Sequence, residues 1–292
     1  MVKSKIELPR LQADFDSRVE RVFSYSDLVS LLTSGRFQLE FAGPDAFIDM
    51  LLRRTKMTEV TLKSSYYPQI SRYVWGSNIA PVLLALSIKP RAFCSHGSAM
   101  WIHGLGGKER PIYVNSEQSE KPANRNKLTQ EAIDRAFLRE QRKSKLVYKY
   151  KDAEIIVLNG KNSHRLEVEL GKTPSGEQVA VTSLERTLVD ITVRPAYAGG
   201  ISNVLVSFDR ARPRASAKKI LHILKALDYK YPFHQAIGFY MKRSRYSKAD
   251  QDLVRELGTQ FNFYLGHGIK EPQFDEEFKV HFPEALGSAS GL

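Results

Sequence analysis

The sequence predicts an α+β protein built as an N-terminal winged helix–turn–helix domain over residues 1–80 and a larger domain of mixed β-sheet plus helices over residues 81–292. Three observations lead there. A chain of 292 residues with 42% hydrophobic content is longer than an average domain and has ample apolar material for two cores. The front third shows two short helical stripes followed by two alternating runs. Beyond it, strand-like runs come first and helical periodicity dominates after Thr182, an order that suits α+β rather than a βαβ alternation.

The first helix is expected over Ser26–Thr33, capped by Ser24 or Ser26 and ended by Gly35, because serine oxygens accept the free N–H groups of a first turn. Phe37–Phe41 alternates like a strand. A second helix is expected over Gly43–Arg54, with Pro44 in its first turn. Phe47, Ile48, Leu51 and Leu52 form its apolar stripe, and Asp45, Asp49, Arg53 and Arg54 its opposite face. Thr58–Ser64 and Ile70–Gly76, joined by SYYPQ, read as a hairpin. Helix, helix, hairpin is the winged helix–turn–helix order. It would place Gly43–Arg54 in a major groove, with Lys63, Tyr66, Tyr67 and Arg72 at or near the wing tip. Asp45 and Asp49 suit the helix dipole but repel phosphate.

In the second domain a short linking helix is expected over Pro81–Ser87, a strand at Arg91–Ser95 and a helix over Gly97–His103 capped by Gly104. Pro111–Asn115 is a strand. Thr129–Arg142 is an amphipathic helix with Ile133, Phe137 and Leu138 inward. Strands are expected at Leu146–Tyr150, Glu154–Leu158, His164–Leu170 and Glu177–Val181, then about four helices and a last strand pair at Phe261–Leu265 and Phe278–Phe282.

Net charge is +12, which favours an anionic partner, most often nucleic acid. Three basic blocks carry much of it: Arg139–Lys145 with Lys149 and Lys151, Arg210–Lys219, and Lys242–Lys248. No apolar run reaches the roughly 18 residues of a membrane helix, and the N-terminus lacks a secretory apolar segment. Cys94 is the single cysteine. These features give the expectation of a cytoplasmic protein without a membrane partner.

The residue types of several catalytic sets occur without the spacing their chemistry needs. Cys94, His96 and His103 lack the paired spacing of a zinc site, so no metal or other cofactor is expected. Gly97-Ser98-Ala99-Met100 is not a hydrolase elbow. Glu167, Glu169 and Lys172 have nuclease residue types, but the lysine would not follow the acids on one strand face, and alternation places Val168 and Leu170 on the core side. The layout HGSAMWIHGL followed by a strand is like the opening of a nucleotidyltransferase fold. Its strand, PIYVN, offers no carboxylate for magnesium, so that activity is rejected.

One stretch, TSLERTLVDITVRPAYAGG at Thr182–Gly200, gathers several charges. Thr182-x-x-Glu185 has capping-box spacing, which places a helix start at Thr182 or Ser183. Leu184, Leu188 and Ile191 share one face. Arg186 and Asp190 pair at i, i+4, worth at most about 0.3 kcal/mol in isolation but able to fix the docking of the helix if buried. Pro195 stops the helix and Gly199-Gly200 turns the chain, which reads as a structural joint.

The same stretch resembles the signature of the AbiEi antitoxin family of type IV toxin–antitoxin systems. Ser95–Leu105 with PIYVN, HQAIGFYMKRSRYS and FNFYLGHG are similar to further parts of that family, so the matches span about Pro90 to His281. The resemblance implies a winged-helix DNA-binding domain before an α+β antitoxin domain. It implies a non-enzymatic repressor of its own operon that opposes a nucleotidyltransferase toxin encoded nearby. The partners implied are double-stranded operator DNA and the cognate toxin. Expected DNA contacts are Arg53, Arg54, Lys56, Lys63, Tyr66, Tyr67 and Arg72, with further phosphate contacts from Arg142, Lys143, Lys145, Arg212, Arg214 and Lys218. Two other readings stay open: a divergent magnesium-dependent nuclease, and a protein-binding module whose basic surface meets an acidic partner.

Overall fold

The computed structural model describes residues 8–34, 41–120 and 127–287. In chain order the elements are α1 (Leu8–Ser17), β1 (Val22–Phe23), α2 (Tyr25–Thr33), α3 (Pro44–Arg54), β2 (Met57–Leu62), β3 (Ile70–Trp75) and α4 (Pro81–Ser87). Next come β4 (Phe93–Cys94), α5 (His96–Ile102), β5 (Ile112–Asn115), α6 (Gln130–Leu138), β6 (Val147–Tyr150), β7 (Ala153–Leu158), β8 (Val168–Lys172) and β9 (Gln178–Thr182). The chain continues with α7 (Leu184–Val193), α8 (Ile201–Ala211), α9 (Ala217–Leu227), α10 (Phe233–Arg243) and α11 (Lys248–Arg255). It closes with β10 (Phe263–Tyr264), β11 (Pro272–Asp275) and β12 (Val280–Pro283). The protein is thus mixed α+β. No helix among the described residues is long and apolar enough to cross a membrane.

Two compact units divide the chain. The first runs to Ala92 and also takes Leu146–Ile156; the second takes Phe93–Lys145 and Val157 onward. The division therefore falls beyond residue 80, and a hairpin distant in sequence completes the first unit.

In the first unit, β1, β3 and β2 form an antiparallel sheet in that order. The β2–β3 hairpin has the register expected from alternation, from Met57 opposite Trp75 to Leu62 opposite Ile70. Ser24 caps α2 in a complete capping box with Asp27. Neither α1 nor β1 is among the elements read from the sequence, although Leu8, Leu11 and Phe15 carry a helical stripe. Leu11 and Phe15 are fully buried, and Phe15 stacks on Trp75 at 4.6 Å between ring centroids. The expected stop at Gly35 and all of the Phe37–Phe41 run except Phe41 lie outside the described residues. Just past β2, Lys63 and Lys149 exchange backbone hydrogen bonds of 3.0 and 2.7 Å, which fastens the β6–β7 hairpin to the end of the β2–β3 hairpin.

In the second unit the strands β5, β4, β9 and β8 are neighbours in that order, with β4 parallel to β9 and the other pairs antiparallel. A smaller sheet has the order β10-β12-β11. Five helices, rather than about four, follow Ser183. Two burial expectations are corrected. Leu138 is 80% exposed and α6 ends there, short of Arg142. Leu138 sits about 100° around the helix from Phe137, off the Ile133–Phe137 stripe. Leu170 is 74% exposed, because the ladder sets Glu169 opposite buried Val181 and Leu170 opposite Ala180. Paired residues share a face, so β9, with Val179 and Val181 buried, dictates the register of the edge strand β8. Gly171 permits this close pairing, since a Cβ there would stand 2.7 Å from Val181 Cγ1.

Helix α7 packs against α5, α8, α9 and α10, and Glu185 through Thr192 are all buried. Its N-cap is Ser183, whose hydroxyl accepts from the Arg186 N–H, while Thr182 ends β9. A helix enclosed on all sides must satisfy its polar groups internally. Glu185 accepts from the Ser216 N–H at 3.1 Å and pairs with Lys219. Thr187 and Thr192 donate to the carbonyls of Ser183 and Leu188. Arg186 Nε bonds Asp190 Oδ1 at 2.8 Å with both side chains almost wholly buried. After α7 a 3-10 turn over Pro195–Ala198 leads into Gly199 and Gly200, at φ 81° and 109°, the left-handed region where glycine carries little penalty.

Breaking that buried pair from one side strands a charge. Arg186→Leu should lower the unfolding free energy by about 3–5 kcal/mol, read from urea or guanidinium denaturation. A loss no larger than that of an exposed pair would show that α7 does not depend on it.

Candidate nucleic-acid interface

The first unit presents two surfaces that suit a polyanion: the outer face of α3, and the bridge between Lys63 and Lys149 with the β2–β3 turn beyond it. On α3, Phe47 and Leu51 are fully buried, which turns Asp45, Ala46, Asp49, Arg53 and Arg54 to solvent. The acids are partly engaged. Tyr25 Oη, at the start of α2, donates to Asp45 Oδ1 at 2.9 Å, so the two helices are tied at their N-terminal ends. Asp49 is paired with Arg53 at 2.8 Å. Among the described residues no carboxylate pairs with Arg54, which leaves it as the uncompensated cation at the end of the helix.

At the other surface, the β2–β3 turn exposes Lys63, Tyr66 and Tyr67, with Tyr66 74% exposed. The Lys63–Lys149 bridge brings Lys149 beside it. In the β6–β7 turn, Lys151 lies over the Tyr150 ring at 5.4 Å. Lysines with interleaved tyrosines can grip a phosphate backbone while stacking on sugars or bases. Both lysines of the second hairpin belong to a block that the sequence places far from the wing, and only the long-range strand pairing brings them there.

The remaining expected contacts are distributed differently. Lys56 is paired with Asp16 at 3.0 Å. Arg72 is a correction: it stands opposite Val60 in mid-hairpin, not at the tip. Its guanidinium is half buried and donates to the Ser87 carbonyl and hydroxyl, at 2.8 to 3.2 Å. It satisfies the free carbonyls at the C-terminus of α4, where a cation also suits the helix dipole. Arg142, Lys143 and Lys145 are exposed in the second unit, and the first two line cavities. Arg214 donates to the His103 carbonyl at 2.8 Å, and Arg212 lies 3.5 Å from the Arg245 carbonyl. Lys218 is exposed on α9. The six do not join Lys63 and Arg54 in one compact unit.

The residues weighed for catalysis are also placed. Glu167 is bonded to Lys219 at 2.7 Å, and that contact holds its carboxyl below the ordinary carboxylate range. Glu169 and Lys172 are exposed on β8. Burial pushes the Cys94 thiol up to about 12. Burial, with Arg194 and Arg186 nearby, pushes His96 down to about 3, so its imidazole is neutral at physiological pH. His103 Nε2 bonds the Thr182 carbonyl at 2.6 Å. Among the described residues no group of three or more His, Cys, Asp or Glu could hold a metal ion.

Asp16 links α1 to β3. It accepts from Trp75 Nε1 at 2.8 Å and from Lys56, and these bonds hold its carboxyl below the ordinary value. A carboxyl lowered in the folded state stabilises the fold above its unfolded value and loses that contribution as pH falls through the folded one. The melting temperature of Asp16→Asn should therefore vary less with pH below about 4 than that of the unmodified protein. Identical acid profiles would remove Asp16 from the stability of this unit.

The fold is similar to the crystal structure of the RV2827C protein from Mycobacterium tuberculosis, with TM-score 0.53 and 12% sequence identity over 94% of this chain and 90% of that one. No protein-family model matches the chain, and no curated protein matches it.

Proposed function

We propose that this chain is a DNA-binding antitoxin of the AbiEi type, which represses its own operon and opposes a nucleotidyltransferase toxin. In this reading the first unit is a winged helix–turn–helix: α2 braces α3, α3 lies in a major groove, and the β2–β3 hairpin is the wing. The observation that carries the reading is the pairing of Lys63 with Lys149 beside the turn that exposes Tyr66 and Tyr67, with Lys151 two residues beyond Lys149. It lies in the same unit as an exposed helix face ending in Arg54. DNA phosphates supply the anionic partner that such a pairing wants. The acids at the start of α3 fit the proposal in one specific way. Asp45 and Asp49 are tied to Tyr25 and Arg53, so base reading falls to the later turns of the helix and phosphate binding to Arg54 and the wing.

The partners in this reading are double-stranded operator DNA and the toxin, with no cofactor and a cytoplasmic location. The nuclease reading loses support from Glu167, whose carboxylate is occupied by Lys219.

A gel-shift series with the DNA upstream of the gene tests the proposal. Binding should weaken with salt at a log–log slope near −0.9 per phosphate neutralised. Lys63→Glu combined with Lys149→Glu should reduce the magnitude of that slope by about 2, one unit for each lost phosphate contact. Absence of binding at low salt, or a double variant with unchanged affinity and slope, would refute it.

A further inference from the structure

We infer that the second unit contains a binding site for a nucleoside phosphate, distinct from the DNA surface proposed for the first. The site is a cavity of about 570 Å³, within the range of small-ligand pockets. Its walls come from α6 and the loop after it, from α7, from the Asn159–Lys161 turn following β7, and from the Tyr229–Phe233 segment between α9 and α10. A second cavity of about 250 Å³ shares His96, Asn115, Arg142, Gly160 and Arg194 with it and adds Lys143.

Three features specify the ligand. The first is charge. Arg135, Arg139, Arg142, Lys161, Arg186 and Arg194 line the cavity, against two lining acids, Glu140 and Asp190. Arg186 is committed to Asp190 and Lys161 stands 3.9 Å from Asp228, which leaves the other four arginines for a ligand. Cations gathered in a concave site focus a positive potential, and planar guanidinium forks match phosphate oxygens. The second feature is an aromatic wall of Phe137, Tyr229, Tyr231, Phe233 and His267, which suits a flat heterocycle.

The third feature is a buried oxygen without a donor. Asp190 gives Oδ1 to Arg186, but Oδ2 has no hydrogen-bond partner, although the side chain is 4% exposed and lines the cavity. A buried acceptor left empty is costly, and a ligand N–H or O–H would satisfy it. An inorganic anion meets the first feature alone, and a neutral aromatic meets the second alone. A nucleoside phosphate supplies all three: phosphate for the arginines, a base for the rings, and an amino or hydroxyl hydrogen for Asp190 Oδ2.

The turn beside the cavity is also built with little tolerance. The Gly160 N–H donates to Asn115 Oδ1 at 2.9 Å, and a Cβ on Gly160 would stand 2.6 Å from the Asn115 amide nitrogen. Asn115 thereby holds the backbone on which Lys161 is carried, and Lys161 in turn donates to the carbonyls of Leu227 and Asp228.

Isothermal titration of the full chain with ATP, GTP, adenosine and inorganic pyrophosphate tests the site. At least one nucleotide should bind, with adenosine and pyrophosphate each weaker by roughly tenfold or more, as expected when either the charged or the aromatic contacts are missing. Arg139→Glu combined with Arg142→Glu, both exposed positions, should weaken the nucleotide by at least about tenfold. Arg194→Glu should do the same, and the ligand-free melting temperatures should stay unchanged. The inference is overturned if neither nucleotide binds, if pyrophosphate binds as well as the nucleotide, or if folded variants bind as tightly as the original chain.

Discussion

The second unit hangs on one interaction, the buried ion pair between Arg186 and Asp190. Helix α7 is enclosed by four other helices, and in that position two charges have given up their water. Such a burial persists only where hydrogen bonds replace the lost hydration. The guanidinium does most of this: Nε bonds Asp190, and Nη1 bonds the Ser163 hydroxyl at 3.2 Å and the Leu166 carbonyl at 2.9 Å. These bonds fix the rotation of α7 about its own axis and attach the loop before β8 to it. Burial pushes the Asp190 carboxyl up, and Arg186 works against that push. The same geometry leaves Oδ2 buried without a hydrogen-bond partner, on a side chain that lines the cavity beside α7, so the interaction that orders the core also contributes to the wall of that space.

Charge was the feature most easily overread from composition. Many cations are committed to internal contacts. Arg72 ends α4, Lys219 sits between Glu167 and Glu185, and Lys242 and Arg255 hold Asp275, Glu277 and Asp252. Arg243 lies over the rings of Phe239 and Phe282. A net charge of +12 therefore describes the chain and not its free surface. Near the C-terminus, Asp275 and Glu277 pair with Lys242 of the third basic block, and Glu277 also with Arg255.

Local signals made much of the fold legible in advance. Ser24 with Asp27, Pro44, Thr129 and Ser183 mark helix starts, and alternation in β2, β3 and β9 fixes those strands. The α7 pair was legible as a spacing, while its burial was not, because i, i+4 charges look alike on a surface helix and a central one. Leu170 failed because an edge strand takes its register from its neighbour. The site was read less completely than the fold. Lys63, Tyr66 and Tyr67 could be placed from the hairpin alone, whereas Lys149 needs a pairing between segments far apart in the chain. Leu8, Leu11 and Phe15 did carry a signal for α1, an ordinary helical stripe.

The union of Lys63 with Lys149 also governs the order of events during synthesis. The helices and first hairpin of the front unit leave the ribosome well before β6 does, and until then the outer edge of the β2–β3 hairpin has no neighbour at its end. Unpaired edges invite association with other chains, and nascent domains are vulnerable while incomplete. A gene fragment that stops between α4 and β6 would make that interval permanent. The natural unit of expression for this module is therefore not its leading segment but a chain long enough to return to it.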